Sequence, residues 1–108
     1  MGNATMQLTE ATFDSEVYGS RFPVLVSFCA DWCAPCRMLS PIVDELATEY
    51  SGRVKIAVID VDENSAVAHR LGIRCVPALV LFAKGEVVEQ LVGVRTKKEL
   101  IALLDRLA

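Results

Sequence analysis

Two near-continuous apolar runs, PVLVSF at 23–28 and VKIAVIDVD at 54–62, constrain the fold of this chain more than any other feature. A strand with no polar side has no face to offer to water, so both runs predict strands buried on both faces of a sheet. Between them Met38, Leu39, Ile42, Val43, Leu46, Ala47 and Tyr50 recur at three- to four-residue spacing, with Asp44, Glu45 and Glu49 opposite. That period predicts an amphipathic helix over 34–50. Pro41 lies inside it and cannot donate to the Arg37 carbonyl, so a kink is expected there.

The flanking segments alternate in the same way. LTEATFDSEVYG (8–19) predicts a short helix capped by Thr9 and stopped by Gly19, after a marginal strand at 6–8. ENSAVAHRLG (63–72) predicts a short helix ended by Gly72, and ALVLFAKGEVVEQLVG (78–93) two strands around a Lys84-Gly85 hairpin turn. TKKE is a capping box, Thr96 to Glu99, opening a helix whose Leu100, Ile101, Leu103, Leu104 and Leu107 form one face. The order β-α-β-α-β-α-β-β-α implies an α/β fold: a mixed sheet, parallel in one half and antiparallel in the other, with helices on both faces. With 108 residues, 53% of them hydrophobic, one domain over 1–108 can fill its core without disulfide staples.

Eleven Lys and Arg against fourteen Asp and Glu give a net charge of -3, which leaves no general attraction to phosphate backbones or anionic membranes. The opening MGNATMQLTE has no basic region followed by an apolar stretch, and no apolar run approaches a membrane span. The chain is expected to be soluble and cytoplasmic, with neither nucleic acid nor membrane as a partner. Met1-Gly2 resembles a myristoylation start, but Met6 stands where that signal needs Ser or Thr.

Four cysteines then carry the chemistry. Cys33 and Cys36, in WCAPC, stand where the first buried strand gives way to the long helix. A thiol at a helix N-terminus faces backbone N–H groups without intrahelical acceptors and the positive end of the helix dipole, which favour thiolate. Cys33 is therefore the expected nucleophile. Cys36, within one turn, is the expected resolving and more buried thiol, and Pro35 restricts the ring that a disulfide would close. A structural pair, or half of a zinc site, is the alternative, but zinc needs about four ligands and no second C-x-x-C exists. Cys29, Cys33 and Cys36 also spell C-x-x-x-C-x-x-C, a radical SAM cluster signature that needs more βα units than this chain holds. His69, the only histidine, has no ligand pattern around it, and Arg37 and Arg74 flank the cysteines.

From Leu8 to Leu107 the motifs FDSEV, ADWCAPCRM, PIVDELATEY, DVDEN, GIRCVPALVLF, KGE and VG succeed one another as in the thioredoxin family, which the chain resembles. That family is itself a standard example of an activated C-x-x-C thiol. The resemblance implies a thioredoxin fold, a central mixed sheet flanked by helices on both faces. It implies protein-disulfide reduction by dithiol exchange through Cys33 and Cys36. Pro77 would be a cis-proline facing the dithiol and presenting the Val76 backbone to an extended substrate. Trp32, Ala34, Pro35, Val76 and Gly93 would form an apolar docking rim.

Four positions depart from the family pattern. Ser27 and Val58 replace a buried Asp and its Lys partner, a joint loss that leaves no lone buried charge. A serine hydroxyl cannot serve as a base near neutral pH, so Cys36 must lose its proton otherwise. Cys29 stands where the family usually has Trp, and Cys75 where Gly is common. Both thiols are either modulators of the redox site or inert small hydrophobes. As expected partners the resemblance implies protein disulfides and a thioredoxin reductase, NADPH- or ferredoxin-linked, acting on a monomer with no bound cofactor. The rival reading is a weakened binding or redox-sensing module, holding a metal or iron–sulfur cluster through the extra cysteines.

Overall fold

The strand-helix-strand crossover sets the architecture. The structure is a computed structural model describing residues 5–107, so the Met1-Gly2 reading lies outside the described residues. The strands are β1 (Met6–Leu8), β2 (Val24–Cys29), β3 (Lys55–Asp60), β4 (Ala78–Ala83) and β5 (Glu86–Val92). The α-helices are α1 (Ala34–Glu49), α2 (Ser65–Arg70) and α3 (Lys97–Asp105). The strands form one sheet in the order β1-β3-β2-β4-β5. β1, β3 and β2 are mutually parallel, β4 runs antiparallel to β2 and β5 antiparallel to β4, giving the mixed α/β sheet that the element order implies.

Alternation along each strand then sorts the core into two layers. Val24, Val26 and Phe28 of β2 join Ala57, Ile59, Val80 and Phe82 under Phe13 and Val17. Leu25 joins Ile56, Leu79 and Leu81 on the other face, against Leu39, Val43 and Leu46 of α1 and Leu100 and Leu104 of α3. Ser27 and Cys29 share the parity of Leu25, so they face α1. The hairpin turn has positive φ at both Lys84 (54°) and Gly85 (78°), the backbone of a type I′ turn. Thr96 closes its capping box with Glu99 at the start of α3.

The first helix differs from expectation. Thr9 caps no helix; its carbonyl accepts the N–H of Thr12 and Phe13 at 3.2 and 2.9 Å, closing a turn. After that turn the chain makes one turn of π-helix, Asp14–Tyr18, preceded by Phe13. Tertiary contacts override the local signal here: Glu10 N–H is drawn to Asn64 Oδ1 at 2.9 Å, while Phe13 is fully buried against Phe28 and Phe82. Gly19 does end the element, because a Cβ there would lie 2.5 Å from the Ser15 carbonyl oxygen. α1 continues through Pro41 and ends at Glu49, with Tyr50 as its C-cap.

Candidate active site

Cys33 is the N-cap of α1, with extended backbone (φ −89°, ψ 107°), and the Cys36 N–H donates to its Sγ at 3.2 Å. Pro35 in the first turn fits because an N–H there has no intrahelical acceptor to lose. The helix start thus aims one of its free donors at the Cys33 sulfur. All four cysteines are free thiols.

One expectation needs correction. The sequence predicts Cys36 as the more buried thiol, yet Cys33 is 3% and Cys36 5% exposed. By exposed surface the two are equally sealed. Burial raises the Cys36 thiol far above the ordinary thiol range, and side-chain contacts with Cys33 and then Cys29 add to it. Cys36 keeps its slight exposure because it lines a cleft of about 180 Å³ beneath the helix start, with Ser27, Cys29 and Val58.

Register explains that cleft. Ser27 is the direct partner of Val58, and Cys29 of Asp60, across the parallel β2–β3 pair. Where the family pattern has Asp, Lys and Trp, this corner holds Ser, Val and Cys. Ser27 is 2% exposed, and its hydroxyl meets the Cys29 sulfur at 3.3 Å. Val58 and Cys29 are half-buried.

A separate groove of about 300 Å³ lies before the dithiol, lined by Trp32, Val61, Ile73, Arg74, Cys75 and Val76. Trp32 is 68% exposed, and its indole N–H donates to Asp62 Oδ2 at 2.8 Å, which fixes the ring beside the groove. Ala34 and Pro35 are exposed in the first turn of α1. The Val76–Pro77 bond is cis, and the Pro77 carbonyl accepts the Gly93 N–H at 2.8 Å, which ties the β4 entry to the end of β5. Cys75 is exposed in this groove, whereas Cys29 belongs to the cleft behind.

Arg37 is occupied with the Asp31 carbonyl at 2.7 Å, and His69 is exposed on α2. Among the described residues no three His, Cys, Asp or Glu side chains converge as metal ligands, so the four cysteines do not form a ligand set. Among the described residues no helix is long and apolar enough to cross a membrane.

Sequence reasoning did not single out Asp62, which holds Trp32, nor Thr5, Ser40 and Asp44, which also line the cleft. The signal for Ser40 was present: it comes four residues after Cys36, at helical spacing, and so shares its face.

The Thioredoxin family model matches residues 4–106. Similar curated proteins include Thioredoxin 1 of Synechococcus elongatus, 48% identical over 92% of both chains. Thioredoxin 1 of Nostoc sp. is 44% identical over 96% of this chain and 97% of its own length. A thioredoxin of Pyropia yezoensis is 44% identical over 93% of this chain and 94% of its own. Matches of that extent, on a chain whose free dithiol opens the helix that follows the central strand of a mixed sheet, leave one conclusion: this chain belongs to the thioredoxin family and is a thiol–disulfide oxidoreductase.

Proposed function

We propose that this protein is a reductant of protein disulfides in which Cys33 attacks and Cys36 resolves. The observation that carries the assignment is the Cys36 N–H held against Cys33 Sγ at 3.2 Å. At Cys36 burial raises the thiol and outweighs the one backbone contact, with Ala30, that lowers it. Cys33 thiolate attacks one sulfur of a partner disulfide; a mixed disulfide forms and the partner's other sulfur leaves as thiolate. Cys36 then attacks Cys33 Sγ, the Cys33–Cys36 bond forms, and the partner departs with two thiols. The extended partner segment lies in the groove of Trp32, Val76 and Cys75, along the Val76 backbone beside Pro77, with Ala34, Pro35 and Gly93 completing the rim.

The second step must remove a proton from a thiol that burial holds in its neutral form. Ser27 cannot accept it near neutral pH. The partner thiolate released in the first step and water entering the cleft are the available acceptors. Two electrons return from a thioredoxin reductase, NADPH- or ferredoxin-linked, and the chain works as a cytoplasmic monomer.

Reduction of insulin disulfides with dithiothreitol as electron source, measured from pH 6 to 9, tests it. Activity should vanish in Cys33→Ser and rise with pH, by up to about tenfold per unit while deprotonation of Cys36 limits turnover. Activity equal to that of Cys33→Ser at every pH would refute the assignment.

A further inference from the structure

The cleft behind the dithiol shares no lining residue with the docking groove, so two separate hollows lie around the redox centre, and Cys36 lines the one behind. Its inner part, about 180 Å³, reaches Cys36; an outer part of about 310 Å³ continues it past Cys29 toward Gln7 and Asp60. Volumes of this size, lined by hydroxyls and carboxylates, admit water.

Cys29 stands where the two parts meet, lining both. Its position results from strand parity, which turns it to the α1 face with Ser27, and from α1, whose first turn brings Cys36 down onto that face. Cys29 packs against the small cluster of Ala30, Cys33 and Cys36, and its sulfur touches the Ser27 hydroxyl at 3.3 Å. Cys29 and Cys36 also line the inner part of the cleft together. Cys36 thus shares one small cluster with two further thiols, Cys33 and Cys29.

We infer that Cys29 is a second disulfide partner for Cys36, so that the chain stores its oxidised state as either of two bonds, Cys33–Cys36 or Cys29–Cys36. This rests on the reading that Cys33 and Cys36 are the redox pair. In the oxidised chain Cys29 thiolate, its proton given to water in the cleft, attacks Cys36 Sγ. The Cys29–Cys36 bond forms, the Cys33–Cys36 bond breaks, and Cys33 leaves as thiolate. One disulfide exists before and after, so no external oxidant or reductant is consumed. Attack at Cys36 is favoured because the departing sulfur, Cys33, is the one that receives the helix-start N–H.

The second isomer has its own chemistry. Cys33 is then a free nucleophile on the docking face while Cys36 is occupied, so a partner captured by Cys33 is not released by Cys36. The extra thiol converts a rapid carrier into one that holds a partner covalently until Cys29–Cys36 is reduced.

The test uses the full chain as Cys33→Ser with Cys75→Ser, which leaves Cys29 and Cys36 as its thiols, equilibrated with glutathione disulfide. The expected product has lost the mass of two hydrogens, and peptide mapping joins Cys29 to Cys36. Adding Cys29→Ser should abolish that species and leave glutathione adducts or disulfide-linked dimers. Obtaining only adducts or dimers with Cys29 present would overturn the inference. The native chain supplies a check that needs no substitution: after partial oxidation, acid quenching and alkylation, a fraction should carry label on Cys33 and a Cys29–Cys36 bond. Finding Cys29 always labelled and Cys36 always joined to Cys33 would also overturn it. Loss of the insulin activity alone would refute the reductase assignment and leave the bond mapping to decide this one.

Discussion

Ser27 sits at a depth where a carboxylate would be costly, 2% exposed and directly across the sheet from Val58. Ser27→Asp therefore inserts a buried charge without a partner, at a cost of several kcal/mol, to be read as a lower Tm. The sign with pH is set by burial, which raises the new carboxyl's folded-state pKa, so the loss is small in acid and grows as pH rises through the carboxylate range. The same group offers Cys36 a base. Insulin reduction by Ser27→Asp should accordingly depend less steeply on pH between 6 and 8 than in the native chain, and an unchanged profile would show that proton removal from Cys36 does not limit turnover. Adding Val58→Lys should recover stability with a coupling of about 1–3 kcal/mol in a double-mutant cycle.

At the scale of elements, α3 is held at both ends by named side chains. Its capping box was legible in TKKE because all the atoms involved lie within four residues, as was the I′ turn at Lys84-Gly85. Thr96→Ala should cost about 1 kcal/mol, which for a domain of this size lowers Tm by about 4–8 °C. Glu99, held below its ordinary value first by the Thr96 N–H and then by its hydroxyl, stabilises the folded chain above the usual carboxylate range, and that contribution fades as pH falls through its lowered pKa. Glu99→Gln should therefore matter at neutral pH and little in acid. At the other end, Tyr50 from the C-cap of α1 donates to Asp105 Oδ1 at 2.6 Å. Burial, with that bond, pushes the phenol from 10.0 up to about 12, so the stabilisation is complete below pH 10 and lost as pH rises to about 12. Tyr50→Phe should cost about 1–2 kcal/mol in urea unfolding at pH 8 and flatten the alkaline decline. The π-turn at Asp14–Tyr18 was not legible from local signals, because Asn64 and the seat of Phe13 decide it from distant parts of the chain. The cleft was hidden for a related reason: Ser27, Cys29 and Val58 were each identifiable as small, but their meeting depends on strand register and on the face that α1 presents.

For the whole molecule, the sheet separates two apolar layers that share no buried residue. Ile59 is fully buried in one and Leu104 in the other, so each is a probe of its own layer. Ile59→Val should cost about 0.5–1.5 kcal/mol and Leu104→Ala about 2–5 kcal/mol, against a total expected near 5–15 kcal/mol for a domain of this length. The side chains lie on opposite faces with no common contact, so the double variant should equal the sum of the two within about 0.5 kcal/mol. Yet β2, β3 and β4 contribute alternate residues to both layers, and neither layer can persist once the strands part. All variants should therefore unfold in urea in one transition of unchanged slope, with the fluorescence of Trp32, the sole tryptophan, and far-UV circular dichroism coinciding. A tryptophan transition that precedes the loss of secondary structure would place the redox loop outside the cooperative unit. The Cys36 N–H would then be free to leave Cys33 in the folded chain, and the contact that distinguishes the two thiols would be intermittent.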